Sequence, residues 1–273
     1  MVTPEEQQEI LLNIMQETHK YCEQNHLRYC LAYGTLIGAV RHKGFIPWDN
    51  DADIFMPRPD FEWMLDDLRK KDNQMCDNLK IIHYTIDPKY HYSVSRIYDD
   101  RTRVKSTALR EPPENMGVYM DIFPVDGLWD DPKKHKLNHF LIRFNQRLQS
   151  ADIYSMKERP GLKAKMKWLS HFLFPGKNNK HAKKIDHYCM QCDYESHEKV
   201  LDTAEYLHFD TYLTHEDFDD PILTDFEQYQ FYIPRRYDEF LRAGYGDYMT
   251  LPPEEDREIH DFGAVWVHEQ CED

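Results

Sequence analysis

The chain reads as an α/β (α+β) protein: short period-two apolar segments alternate with helical ones up to about residue 130, and from Pro132 onward the pattern turns mainly helical. With 273 residues, 41% hydrophobic and 14% aromatic, it can bury a real core. No repeat or low-complexity linker divides it. The expected organisation is a catalytic core over 1–130 and a helical, partly basic cap over 131–273 packed on that core.

Thr3-Pro4-Glu5-Glu6 offers an N-cap, a proline at the first helical position and a glutamate three residues after the cap, followed by Leu11, Ile14, Met15 and Cys22 at helical spacing. Leu27 to Tyr33 reads as a short strand ending at Gly34-Thr35, with a short helix over Leu36 to Val40. Gly44-Phe45-Ile46-Pro47 turns the chain. Asp49 to Met56 alternates acids with small or apolar residues and reads as a strand closed by Pro57 and Pro59. Asp60 to Lys70 carries Phe61, Met64, Leu65 and Leu68 at helical spacing. Further strands are expected at Lys80 to Tyr84, Tyr92 to Tyr98 and Val118 to Phe123, with turn material at Glu111 to Asn115, then helices at Lys133 to Ser150, Leu162 to Phe174 and Lys183 to Val200.

A net charge of −15 argues against general nucleic-acid binding, which needs a clustered basic surface. The charge is segregated, however. Residues 133–184 hold 14 Lys and Arg against Asp152 and Glu158, a net of +12 that leaves −27 for the rest. Six cysteines in a chain this long do not make a disulfide framework. No basic-then-apolar leader opens the sequence and no run approaches the roughly 18 apolar residues of a membrane span, so the expected location is cytoplasmic.

Strand alternation would set Asp49, Asp51 and Asp53 on one side, roughly 6.5 to 7 Å apart in succession. Like charges in a row repel, and the strand that keeps them either neutralises them with a cation or is a solvated edge protected by charge. Hard carboxylate oxygens suit Mg²⁺ or Mn²⁺. Gly34-Thr35 at a strand end, with Arg41, His42 and Lys43 following, gathers phosphate-binding groups within the same stretch. Tyr119-Met120-Asp121-Ile122-Phe123 places a lone acid in an apolar strand, costly to bury without a metal or a partner. Arg96, itself in a strand, would pair with a phosphate or with Asp121, or else be a surface arginine of that strand. Cys189-Met190-Gln191-Cys192, flanked by His187 and His197, is a single C-x-x-C on an expected helix, for which core packing is favoured over zinc.

The run Gly34-Thr35-Leu36-Ile37-Gly38-Ala39-Val40-Arg41-His42-Lys43-Gly44-Phe45-Ile46-Pro47-Trp48-Asp49-Asn50-Asp51-Ala52-Asp53-Ile54 resembles the signature of the LicD family of phosphocholine transferases, which also includes the fukutin-related sugar-phosphate transferases. Asp121 to Gly127 and Tyr245 to Glu254 extend the resemblance, while 130–225 carries no matching motif. It implies a nucleotidyltransferase-like mixed sheet with flanking helices, in which Asp51, Asp53 and Asp121 hold the metal, or Asp121 serves the incoming hydroxyl as base. Gly34, Thr35, Arg41, His42, Lys43 and Arg96 would meet the substrate phosphates. Asn50 stands where many relatives carry aspartate. The implied reaction moves phosphocholine, or a similar alcohol phosphate, from a CDP-linked donor to a hydroxyl of a cell-surface glycan or teichoic-acid precursor, releasing CMP, with Mg²⁺ or Mn²⁺ and no organic cofactor.

Asp247, Arg257 and His260, near the terminal motif, are expected in mainly structural roles. Trp48, Tyr119, Trp129 and Tyr245 are the aromatics considered for a choline box. Lys163, Lys165, Lys167, Trp168, Leu169, Phe172, Leu173 and Phe174 mix cations with large apolar residues, as an interfacial helix does. The 133–184 segment would thus touch an anionic membrane from the inner face, grip a lipid-linked acceptor, or be a core helix with a basic outer side. The rival functions are a nucleotidyltransferase acting on a small molecule from a nucleoside triphosphate, releasing pyrophosphate, and an inactive binding module.

Overall fold

A computed structural model describes residues 1–104, 116–153, 179–204, 211–257 and 263–267. The first helix, α1 (Pro4–Asn25), starts as its sequence requires: the Thr3 hydroxyl accepts the Glu6 N–H at 3.2 Å and the Glu6 carboxylate accepts the Thr3 N–H at 2.7 Å. The chain continues through β1 (Cys30–Leu31), α2 (Tyr33–Ile37) with a π-helical turn over Gly38–His42, β2 (Asp53–Pro57), α3 (Arg58–Lys70), β3 (Gln74–Cys76), β4 (Leu79–Ile82), β5 (Ser95–Asp99), β6 (Thr102–Val104) and β7 (Tyr119–Gly127). Beyond it lie α4 (Pro132–Ile153), α5 (Lys180–Cys189), β8 (Lys199–Leu201), β9 (Leu213–Thr214), α6 (Glu216–Asp219), β10 (Ile222–Phe226), β11 (Tyr229–Ile233), α7 (Tyr237–Tyr245) and β12 (Ala264–Trp266).

The main sheet runs β1-β2-β7-β5-β4-β3, with β8 and β9 continuing from the far end of β7. It is mixed: β2 and β7 are parallel and the other pairings are antiparallel. One face is covered by α1, against β5 and β7, and by α3, against β2 and β7. The Tyr21 hydroxyl joins these helices by donating to Asp67 at 2.6 Å. On the other face Tyr33 of α2 lies edge-on to Phe55 and Phe123, and Phe240 of α7 to Phe55. Residues two apart share a face of a strand, so Asp53 and Asp121 stand on the side that Tyr33 covers.

The second half is tied to the first by charge as well as by β8. Buried Arg58 makes a two-armed pair with Asp126, at 2.8 and 2.6 Å, and reaches Asp186 of α5 at 2.9 Å, while the Tyr84 hydroxyl donates to Asp186 at 2.6 Å. A buried guanidinium satisfied on both arms holds α3, β7 and α5 together. The β10–β11 hairpin packs on β1 and on the π-helical turn.

Three boundaries differ from the sequence reading. The strand expected over Leu27 to Tyr33 shrinks to Cys30–Leu31, because Tyr33 already opens α2. The acidic strand begins at Asp53, so the alternation argument fails for Asp49 and Asp51. The Asp49 N–H closes a turn on the Ile46 carbonyl at 2.9 Å, and the Asn50 carbonyl is held by Gln7 Nε2 of α1 at 2.8 Å. The helix expected over Lys183 to Val200 stops at Cys189. Five short strands also accompany the helices described after Pro132. The expected helix over 162–174, the turn at 111–115 and His260 lie outside the described residues.

Candidate active site

Three neighbouring strands bring three of the expected residues side by side. In the parallel β2–β7 pair Asp53 stands opposite Asp121, and in the antiparallel β5–β7 pair Asp121 stands opposite Arg96. The Arg96 Nε donates to Asp121 Oδ1 at 2.7 Å. The guanidinium lies 3.9 Å from the ring centre of Tyr119, 4.9 Å from Tyr92 and 5.8 Å from Tyr90. Arg96 is thus held in an aromatic slot, its side chain 12% exposed against 15% for Asp121. Of the two partners expected for it, the structure supplies Asp121.

The acids crowd one another. Burial, then the charges of Asp51, Asp121 and Asp49, push the Asp53 carboxyl well above the usual range, with Arg96 opposing. Burial and Asp51 raise Asp121 likewise, against the pull of Arg96. The cluster is therefore short of positive charge, and Asp51 belongs to it electrostatically although it precedes the strand. Among the described residues no three His, Cys, Asp or Glu side chains form a ready metal cage.

Thr35 departs from expectation. It is 4% exposed, and its hydroxyl accepts the Asp53 N–H at 2.9 Å. It therefore positions an acid rather than presenting an open hydroxyl. Gly34 lies so near Asp49 that a Cβ would stand 2.6 Å from Oδ2. The amides of Tyr33, Gly34 and Thr35 precede the first bond of α2, from the Leu36 N–H to the Ala32 carbonyl. Tyr33 itself sits at φ 44°, a left-handed conformation for an aromatic residue, with its hydroxyl on Asp202 at 3.1 Å.

The loop between α2 and β2 is fixed from three directions. A Cβ on Gly38 would meet the Gly44 carbonyl at 2.5 Å, so the π-helical turn closes on its own exit. Glu227, in the β10–β11 turn, donates its N–H to the Lys43 carbonyl at 2.7 Å and accepts the Phe45 N–H at 3.1 Å. Lys43 itself is exposed, at φ 59°. Arg41 donates to the Tyr248 carbonyl at 2.5 Å and to His42 Nε2 at 2.9 Å. Burial and the neighbouring guanidinium hold His42 below its usual pKa. Trp48 carries Arg257 at 4.3 Å on its ring.

The terminal motif thus does fold back over this loop, through Tyr248, Arg257 and Tyr245. Tyr245 is 39% exposed, and partial burial with the fields of Asp53, Asp49 and Asp51 raises its phenol above its usual pKa. Asp247 accepts a local bond from the Thr250 hydroxyl at 2.7 Å. Thr35 as an anchor for Asp53, Glu227, and the Tyr33–Asp202 bond were missed from sequence, since the contacts span 18, 182 and 169 residues. Among the aromatics considered for choline, Tyr119 carries Arg96, Trp48 carries Arg257 and Trp129 carries Lys134 at 5.0 Å. Cys189 packs with Ile142, Ile185 and Ala204, and burial pushes the Cys192 thiol up to about 12.

A mixed sheet whose adjacent parallel strands set Asp53 opposite Asp121 fits the class that the family comparison gives, a nucleotidyltransferase-type domain. The family model described as LicD/FKTN/FKRP, nucleotidyltransferase domain, matches residues 26–160. The lipopolysaccharide cholinephosphotransferase LicD of Haemophilus influenzae (strain ATCC 51907 / DSM 11121 / KW20 / Rd) is 34% identical over 283 aligned positions, covering 97% of this chain and 98% of that protein. The chain belongs to the LicD family. Uncharacterized proteins of Rickettsia prowazekii (strain Madrid E) and Rickettsia typhi (strain ATCC VR-144 / Wilmington) are each 48% identical over 44 residues, 16% of this chain and 16% and 14% of theirs.

Proposed function

We propose that this enzyme moves phosphocholine, or a closely similar alcohol phosphate, from a CDP-activated donor to a hydroxyl of a cell-surface glycan or its lipid-linked precursor, and releases CMP. The observation that carries the reading is the acidic cluster of buried Asp53 with half-buried Asp51 and Asp121, and Arg96 as its counter-charge. It is joined to 34% identity over nearly the full length of a protein named for cholinephosphate transfer.

Asp51, Asp53 and Asp121 would hold Mg²⁺. Their donors are hard oxygens, and Mg²⁺ is commonly bound by one or two carboxylates completed by substrate phosphates rather than by an all-protein cage. Bound there, it would neutralise charge on the diphosphate as the bridging bond breaks. Thr35 keeps Asp53 at its post through the 2.9 Å bond, and Arg96 aims Asp121. The first amides of α2, the cations Arg41 and Lys43, and the neutral imidazole of His42 supply phosphate contacts. The acceptor hydroxyl attacks the choline-side phosphorus and CMP leaves as an anion. Asp121, where it does not hold the metal, takes the hydroxyl proton as base.

No helix among the described residues is long and apolar enough to cross a membrane. The proposed place of action is the inner face, reached peripherally. The test is CMP release from CDP-choline, CDP-ribitol and CDP-glycerol with Mg²⁺ and a glycan acceptor. Release from one donor, lost in Asp51→Asn, supports the reading and names the alcohol. Pyrophosphate release from a nucleoside triphosphate, with none of the CDP-alcohols consumed, overturns it in favour of nucleotidyl transfer.

A further inference from the structure

Helix α4 turns an apolar stripe to solvent. Leu137, Phe140 and Phe144 are 60%, 59% and 42% exposed, and at 3.6 residues per turn they fall within about 60° of arc. The two phenylalanine rings stack, 6.3 Å between centres at 18°. The packed side of α4 is a different one: Ile142 is buried against Ile185 and Cys189 of α5, and Asn138 donates to the Tyr188 carbonyl at 3.0 Å. The stripe is therefore not an edge of the core. Three large apolar side chains grouped on one exposed helix face mark a contact surface, whereas the same residues scattered singly would not.

Charge says what the contact is with. Lys133, Lys136, Arg143 and Arg147 are exposed beside the stripe, and no acidic residue occurs from Pro132 to Ala151 in a chain whose net charge is −15. A second copy docking face to face would set cation on cation. An anionic lipid surface matches both features, since headgroup phosphates attract the cations and the interface takes the apolar side chains. The acidic remainder of the chain is repelled by the same surface, which leaves α4 as the side presented. α4 also follows β7, the strand of Asp121, after a short connection.

We propose that α4 seats the enzyme on an anionic membrane, with Leu137, Phe140 and Phe144 inserted at headgroup level and Lys133, Lys136, Arg143 and Arg147 on lipid phosphates. The purpose of this seat rests on the transfer reading above. Its test does not, because binding alone is read. The full chain is floated with vesicles of phosphatidylcholine and of phosphatidylcholine mixed with phosphatidylglycerol, at low and high salt. The variants are Phe140→Ser/Phe144→Ser and, separately, Lys136→Glu/Arg143→Glu/Arg147→Glu, each first matched to wild type in melting temperature. Leu137→Ser replaces the first variant if that fails to fold.

The expected result is flotation with the anionic vesicles only, weakened by salt, about tenfold or more weaker in the serine variant and lost in the charge-reversed one. Absence of flotation at low salt overturns the proposal. So does undiminished flotation of the serine variant, which would place the contact elsewhere. A concentration-dependent dimer that the serine substitutions dissolve would assign the stripe to a second copy, and overturns it too.

Discussion

Replacing Arg96 by methionine removes the cation that the structure puts against Asp121. The pair is nearly buried, 2.7 Å long and walled by Tyr90, Tyr92 and Tyr119. Removing one member of such a pair costs about 3 to 5 kcal/mol, because the survivor is left uncompensated. Asp121 can escape part of that by taking up a proton, since burial and Asp51 already raise its carboxyl, which sets the expectation at the lower end, about 3 kcal/mol. Methionine still packs on Tyr119, so the lost cation–π contact adds little. For a chain of this size about 3 kcal/mol lowers the melting temperature by roughly 6 to 12 °C. Thermal unfolding followed by circular dichroism measures it, for Arg96→Met, Asp121→Asn and the double variant. The double variant should be more stable than the two losses summed, because with Asp121 neutral Arg96 has less to neutralise. Mg²⁺ should recover part of the Arg96→Met loss by supplying the missing positive charge. A variant within about 1 kcal/mol of wild type, or two losses that simply add, would refute Arg96 as the counter-charge of the cluster.

Thr35→Val keeps shape but leaves the buried Asp53 N–H without its 2.9 Å acceptor, so about 1 to 3 kcal/mol of stability should be lost in urea unfolding, with transfer activity falling as well; unchanged activity would remove Thr35 from a positioning role. Gly44→Ala drives a Cβ to 1.9 Å from Glu227 Oε1; the melting temperature should fall, and Gly44→Ala/Glu227→Ala should recover part of it, whereas additive losses would mean that the clash is not with Glu227. Buried His83 is held neutral, its pKa lowered from 6.5 to about 4 chiefly by burial. Below pH 6.5 the unfolded chain takes a proton that the folded one refuses, so stability falls as pH drops from about 6.5 to about 4, by roughly 3 kcal/mol in all. His83→Leu should flatten that window in urea titrations at several pH values, and an unchanged slope would contradict it.

Local signals were readable and long-range ones were not. The Thr3 capping box and α3 follow from side chains a few residues apart, and the lone acid of β7 stood out because its neighbours are apolar. The acidic stretch misled at its start: Asp49-Asn50-Asp51 alternates like a strand, yet Gln7 and Ile46 hold it as a loop, and neither partner is visible from spacing. The β10–β11 hairpin was missed although Thr224, Phe226, Tyr229, Phe231 and Ile233 alternate suitably. Its two-residue turn is Glu227-Gln228, without the Asn-Gly or Asp-Gly that announces such a turn, and Glu227 takes a φ of 52° there. Of the site, the acids and Arg96 were named and the structure sets Asp53, Asp121 and Arg96 in adjacent register. The roles of Thr35 and Glu227 depend on pairings that only the fold makes.

The decisive measurement follows the phosphorus. CDP-choline labelled at its choline-side phosphorus is incubated with Mg²⁺, enzyme and a glycan acceptor, and the label is located by mass spectrometry. The proposed reaction puts it on the acceptor, with unlabelled CMP released and neither product formed by Asp53→Asn. Label left in free phosphocholine, with the nucleotide half on the acceptor, would contradict it.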